Sequence, residues 1–380
     1  MSIGLHSKDI ASKFSPLQQE IRKRTWFGCI LLDRSLSMTF GRPFAIPEEY
    51  IRLDIPTSLP PSVSVPENVQ QLSLAFYNAS ILLYRIMGRI IVTLYGSNLG
   101  CDDQTSETTT MTSIIQLGQE LADWQVSLPT QLGLYSVCDL PHDTEIQNPT
   151  VERFRVVLTL RYLNVQLLLH RPTFIRSLGV LLKEPKLPHR NAGSVNNMQA
   201  SFDKAFVQVA ENIIDIIYAV LMRPDHGRHL IGAWWFTLYY AFSAALAVFG
   251  SLLTSQESQG EVDGSDRIDR AKRSLNQVSE ALGRLGDHNT IVSRCVKFLQ
   301  QLLRLVNAWD TRPSQALDSS DPYAETQSIT TADVGHFDAE SNLLSTMPTW
   351  DVSEAGFGDE LELGHFFASD FQRWFDRIRW

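Results

Sequence analysis

The sequence predicts an all-α protein: an irregular multi-helix bundle over residues 1–312, followed by an acidic tail over 313–380. Three observations carry that prediction. Apolar residues recur at helical spacing in one segment after another. No stretch alternates apolar and polar residues with hairpin turns at its ends, so no strand is expected. From about Pro313 onward the chain turns to Ser, Thr, Asp and Glu without any period, a composition that cannot bury a core.

The first helix runs through Arg22-Lys23-Arg24, a basic first turn, and places Trp26, Phe27, Ile30, Leu31, Leu36 and Met38 on an apolar face. Gly41 and Pro43 stop it, since proline lacks an N–H and disfavours helix at Arg42. A connector from Ile46 to Pro66, with five prolines, reads as extended surface chain. Gln71–Tyr95 has helical period through Leu72, Phe76, Leu83, Ile86 and Ile90, and Cys101–Thr110 reads as a polar loop. Met111–Ser127 carries Ile114, Leu117, Leu121 and Trp124, ending before Leu128-Pro129. Val151–Leu169 is a further amphipathic helix, with His170-Arg171-Pro172 as its stop signal. Leu182–Ala200 reads as an exposed link. Phe202–Met222, a Trp-rich apolar segment, Asp266–Leu285 and Thr290–Trp309 complete the helical body.

Charge divides the chain. Residues 314–370 hold 12 of the 42 acidic residues and none of the 33 basic ones, leaving 30 acids against 33 bases elsewhere. A nearly neutral body argues against a nucleic-acid surface spread over the whole chain. Cys29, Cys101, Cys138 and Cys295 form no CxxC pair and no zinc-spaced cluster, and read as core residues of an intracellular protein. The N-terminus lacks the apolar run of a signal peptide. His229–Gln256 has no charged residue and is long enough to span a bilayer. Its aromatics crowd its first half, however, and no second such segment stands out, so a helix buried on all sides is the preferred reading.

No catalytic constellation emerges. The chain has no GxGxxG, P-loop, HExxH or GxSxG pattern. His170-Arg171 reads as cations at a helix C-terminus. Asp33-Arg34 reads as an intrahelical charge contact or a partner for another helix. His226 and His229 read as loop residues, and Arg22–Arg24 as a solvated face. No catalytic, metal or DNA-binding residue is therefore assigned. The tail segment from Phe357 to Phe375 interleaves acids with large apolar residues, and Phe366, Phe367, Trp374 and Phe375 are candidate anchors for a partner groove. Docking of the same aromatics on the protein's own core is the competing reading.

The run from Arg22 to Pro47, with Arg24, Trp26, Asp33, Arg34, Gly41, Arg42 and Pro43, resembles the signature of the fungal-specific transcription factor domain. This is the regulatory middle region of fungal zinc binuclear cluster transcription factors. Further stretches are similar to the same family in the same order: Gly4-Leu5-His6, then Leu121-Ala-Asp-Trp124 with Leu128-Pro129. The helix through Arg161 ending in His170-Arg171-Pro172 follows, and then the aromatic Trp234–Tyr240. The resemblance spans residues 3 to about 309. It implies a nuclear regulator of pathway genes, acting on proteins of the transcription machinery or a DNA-binding subunit and open to a small-molecule effector. An enzyme on a helical scaffold is the alternative. The family's six-cysteine zinc cluster has no counterpart here, so no cofactor is expected in this chain, zinc being expected only in a full-length relative. Specific DNA binding by this chain alone is not expected either. By the family's pattern the domain's first helices are also missing, which implies uncovered apolar surface and an oligomer, without a membrane.

Overall fold

A computed structural model describes residues 4–7, 13–59, 66–96, 106–136, 148–183, 193–224, 227–254, 261–286 and 289–310. Among these there are eight α-helices and no strand: α1 (Pro16–Phe40), α2 (Glu67–Tyr95), α3 (Glu107–Val126), α4 (Pro149–Lys183), α5 (Gly193–Leu221), α6 (Trp234–Leu253), α7 (Glu261–Leu285) and α8 (Thr290–Asp310). The tail and its four candidate aromatics, Cys101, Cys138 and His226 lie outside the described residues.

Each helix packs on its neighbour in sequence, and α2 with α4, α4 with α6, α5 with α7 and α6 with α8 also meet out of sequence. α2 packs on both α3 and α4, α4 reaches from α2 and α3 to α5 and α6, and α5 touches α4, α6 and α7. One large core runs through this stack, from Leu83 and Met87 through Leu158, Leu167, Ile213, Ala241 and Ala245 to Leu282 and Val306. A second, small core of Trp26, Phe27, Ile30, Ile51 and Ile81 lies between α1, α2 and the connector.

Several boundaries depart from the sequence expectation for visible reasons. α1 starts at Pro16, six residues before the basic run. Ser15 accepts from the Gln18 N–H while the Gln18 side chain accepts from the Ser15 N–H, a reciprocal cap that outranks any charge signal. Arg22–Arg24 therefore sit one turn inside the helix. Its end is as expected: Gly41 is left-handed at φ 60°, and its N–H and that of Arg42 both reach the Ser37 carbonyl. α3 begins at Glu107, capped by Ser106, within the segment read as a loop. α4 does not stop at Pro172 but continues to Lys183, and α5 begins at Gly193, within the expected link.

The connector is extended, with a 3₁₀ turn at Glu48–Tyr50, but it is a strap rather than free surface chain. Ile51 and Pro56 are buried, and Leu53 and Ile55 pack on the small core. The Trp-rich segment is α6, with Tyr240, Ala241, Ala244 and Ala245 buried between α5 and α7. By length and composition α2 passes the same membrane test as α6, which corrects the expectation of a single such segment; more than half of either apolar window is buried inside the protein. Cys29 is exposed rather than in the core, whereas burial pushes the half-buried Cys295 thiol up to about 12.

Candidate functional site: the motif residues as interior ties

On α1 the motif residues fasten the strap. Glu20 is almost fully buried and accepts from Lys23, from Arg24 Nε at 3.1 Å, and from the Thr57 N–H and hydroxyl at 2.8 and 3.1 Å. Burial alone would raise its pKa, but these donors outweigh burial and hold it below the usual value. Arg24 also donates to the Thr57 carbonyl at 2.8 Å, so Arg24 is a strap-holding residue and not a solvated cation. The Tyr77 hydroxyl of α2 donates to the Arg24 carbonyl, and Asn78 to that of Pro56. Burial lifts the Tyr77 hydroxyl to about 12. Trp26 fills the small core beneath His6, ring centroids 5.7 Å apart, so the Gly4-Leu5-His6 turn closes that core from outside.

Asp33 and Arg34 hold the chain after Pro43. Asp33 accepts from the Ala45 and Ile46 N–H groups at 2.9 and 3.2 Å. Arg34 is 1% exposed. Its guanidinium donates to Asp33 and to the Ile46 carbonyl at 2.8 Å and to Glu48 at 3.2 Å, and it lies 3.9 Å from the Phe44 ring centre. The two side chains do touch, as expected of a pair. Their larger task is to supply four hydrogen bonds to a loop twelve to fourteen residues away, which sequence spacing could not show. Gly88 of α2 is the backdrop: a Cβ there would come within 3.2 Å of Arg34 Nε.

The remaining motif residues tie α4 to its neighbours. Trp124 at the end of α3 donates from Nε1 to the Ala79 carbonyl of α2 at 3.0 Å and stacks on Tyr162 of α4. Arg161 donates to Ser80 of α2 at 2.8 Å, with its guanidinium about equally distant from the Phe76 and Tyr84 rings, 5.5 and 5.6 Å. Tyr84 in turn hydrogen-bonds Tyr240 of α6, whose hydroxyl burial pushes far above its usual range. Arg171 pairs with Tyr239 of α6 and lies beside Tyr95 of α2. Burial opposes its charge, but the two tyrosine oxygens outweigh burial and keep its pKa raised.

His170 is not a cation at a helix end. It lies mid-helix, 5.7 Å from the Phe202 ring of α5, and burial lowers its pKa to about 4, so it is neutral. Pro172 cannot donate to the Leu168 carbonyl one turn back. The Tyr95 hydroxyl replaces that bond at 2.6 Å, and the Thr173 hydroxyl donates to the His170 carbonyl. The proline is thus accommodated inside α4, and the stop signal fails because its partner comes from another helix.

Sequence reasoning missed Glu20, Tyr77, Ser80 and Tyr95, and named Tyr239 and Tyr240 only as part of an aromatic core helix. For Tyr77, Ser80 and Tyr95 a polar atom amid an apolar helical period was the available signal, whereas Glu20 lies in a polar run and gave none. Among the described residues no group of three His, Cys, Asp or Glu could hold a metal ion. A pocket of about 240 Å³, lined by Asn68, Gln71, Leu72, Ala75, Pro129, Gln131 and Leu132, lies between the start of α2 and the Leu128-Pro129 turn. It is smaller than the ~300 Å³ at which small-molecule sites usually begin.

Comparison with known proteins places this geometry. Residues 1–126 match the fungal specific transcription factor domain. The chain is 30% identical over 332 residues to transcription factor FBD3 of Fusarium pseudograminearum, covering 86% of this chain and 43% of the relative. It is 29% identical over 316 residues to the protein of the same name in Gibberella moniliformis, covering 83% and 42%. It is 26% identical over 314 residues to "Activator of stress genes 1" of Saccharomyces cerevisiae, covering 80% and 30%. The chain thus spans less than half the length of these relatives, and no solved structure matches it. The names point to transcription regulators and not to enzymes. Residues 1–126 thus match the fungal specific transcription factor domain, and most of the chain is similar to fungal transcription regulators.

Proposed function

We propose that residues 1–312 form the regulatory body of a fungal transcription regulator that works in the nucleus through protein partners. On this reading it controls pathway genes, with DNA contact and any zinc cluster supplied outside these residues. The observation that supports it is where the motif side chains point. Arg24, Asp33, Arg34, Trp124, Arg161 and Arg171 are all spent on joining one element to another. On this reading the body's output is a contact with a partner protein. In the same reading the acidic tail recruits transcription machinery through Phe366, Phe367, Trp374 and Phe375.

A reporter assay tests this. Residues 313–380 fused to a heterologous DNA-binding domain should activate transcription, and replacing Phe366, Phe367 and Trp374 with Ala should return it to background. A silent fusion, together with a body that loses stability when the tail is deleted, would assign the aromatics to the core and defeat the recruitment reading.

A further inference from the structure

α6 packs on α4, α5, α7 and α8, yet one side of it still reaches water. Trp235, Tyr239, Phe242, Phe249 and Leu253 are half-buried rather than buried. Spacings of four, three, seven and four residues place them on one stripe of about 80°, since each residue turns the helix by about 100°. The stripe is mostly aromatic, and α6 has no charged residue at all. Such a stripe, about 27 Å long, is unfavourable to leave in water. Phe242 meets Phe298 of α8, ring centroids 5.8 Å apart, so α8 borders the stripe. The exposed residues of α8 up to Ala308 include Arg294, Lys297 and Arg304 and no acid. Arg294 lies one turn before Phe298 and Lys297 next to it, and all three cations fall within about 80° of one another. Lys297 and Arg304 have no ion-pair partner among the described residues.

We infer that this face, the aromatic stripe of α6 with the cations of α8 along its border, is the seat of the chain's own acidic aromatic segment, residues 357–380. Charge, apolar pattern and reach select that occupant. From Asp351 to Asp370 the chain has six acids and no Lys or Arg, the complement of the border. Phe367, Phe371, Trp374 and Ile378 follow spacings of four, three and four, those of one helix face, while Arg373, Asp376, Arg377 and Arg379 fall off that face. At helical rise these four side chains span about 16 Å, which fits within the stripe on α6. α8 ends at Asp310, and Asp359 follows 49 residues later. That length can extend to about 160 Å, far more than the roughly 30 Å of α8. Because the segment is joined to the body, docking is intramolecular and weak contacts suffice. The aromatic face then covers the stripe on α6, and Asp359, Glu360 and Glu362 come beside Lys297. This goes beyond recruitment by the tail, since it gives the same segment a contact within the chain.

The experiment uses the full chain and a carbodiimide, which joins an amine to a carboxylate in direct contact and adds no spacer. Mass spectrometry should find Lys297 joined to Asp359, Glu360 or Glu362. Two variants leave Lys297 and every tail acid in place. Replacing Phe367, Phe371 and Trp374 with Ala should cut the yield of that product roughly tenfold, because the aromatic anchors are gone. Arg304→Glu should lower it too, through charge alone. Its side chain faces water, so the fold is kept, which an unchanged far-ultraviolet circular dichroism spectrum checks. An equal mixture of isotopically light and heavy chains should give the product only within one chain. Absence of the Lys297 product from the wild type would overturn the inference. So would a product that survives the Ala variant or is indifferent to Arg304→Glu. Product joining a light to a heavy chain would give the face to a second copy, and the inference would also fail. A silent reporter fusion alters none of these outcomes, so failure of recruitment and failure of the seat are told apart.

Discussion

At the scale of single residues, Arg34 and His170 show opposite ways of burying a titratable group. Around the Arg34 guanidinium two carboxylates, a carbonyl and an aromatic face replace water. Arg34→Ala should therefore cost about 3–5 kcal/mol, since it strands the acceptors that face the lost guanidinium. Urea unfolding would report it as a lower midpoint at unchanged slope. Arg34→Lys should recover only part of the loss, because an ammonium cannot reach three acceptors in the plane of a guanidinium. His170 instead gives up its charge. The native ring titrates near 4 and the unfolded ring near 6.5, so the native state binds fewer protons between those values. Stability from this residue is complete above about pH 6.5 and is lost as pH falls toward 4, by up to about 3 kcal/mol. Nearby Asp203 has the opposite sign: burial raises its pKa, so its cost is present above that value and vanishes as it protonates. The difference between wild type and His170→Gln isolates the histidine. Unfolding midpoints at pH 7, 6 and 5 should fall more steeply for the wild type.

At the scale of elements, Pro172 is the clearest test of how helices accommodate a fault. Tyr95→Phe should cost about 1–3 kcal/mol, because the buried Leu168 carbonyl then has neither its own helix nor a neighbour to donate to it. In a Pro172→Ala background the alanine N–H can make that bond, and the same change should cost measurably less. Equal costs in the two backgrounds would separate the tyrosine from the proline. The same residues show what sequence could and could not say about the fold. The apolar period of Val151–Leu169 was legible because it depends only on local spacing. The continuation of α4 past Pro172 was not, because its donor sits 73 residues away on α2. Likewise Gly41 declared the end of α1 by its own backbone, while Asp33 and Arg34 concealed their contacts with Ala45, Ile46 and Glu48. Gly227 is a further local rule, since a Cβ there would fall 1.9 Å from the Val220 carbonyl oxygen.

At the scale of the molecule, the motif residues were recognisable before their roles were. Their order along the chain pointed to a family; their placement shows why arginines recur among them. Arg24, Arg34, Arg161 and Arg171 each bridge two or more segments, which a forked, permanently charged side chain does better than lysine. The small core beneath the strap has a consequence of its own. Met38 is the one described α1 residue buried in the large core, where the Asn164 amide lies 3.1 Å from its sulfur; nearly all other buried contacts of α1 are with α2 and the strap. Residues 13–59 therefore form a unit of modest apolar content grafted onto a much larger one. Such a unit opens at a lower free energy than the seven-helix stack behind it, so amide protons of α1 exchange through an excursion that α5 and α6 do not share. A regulator assembled in this way can release or rearrange its front helix while its body stays folded.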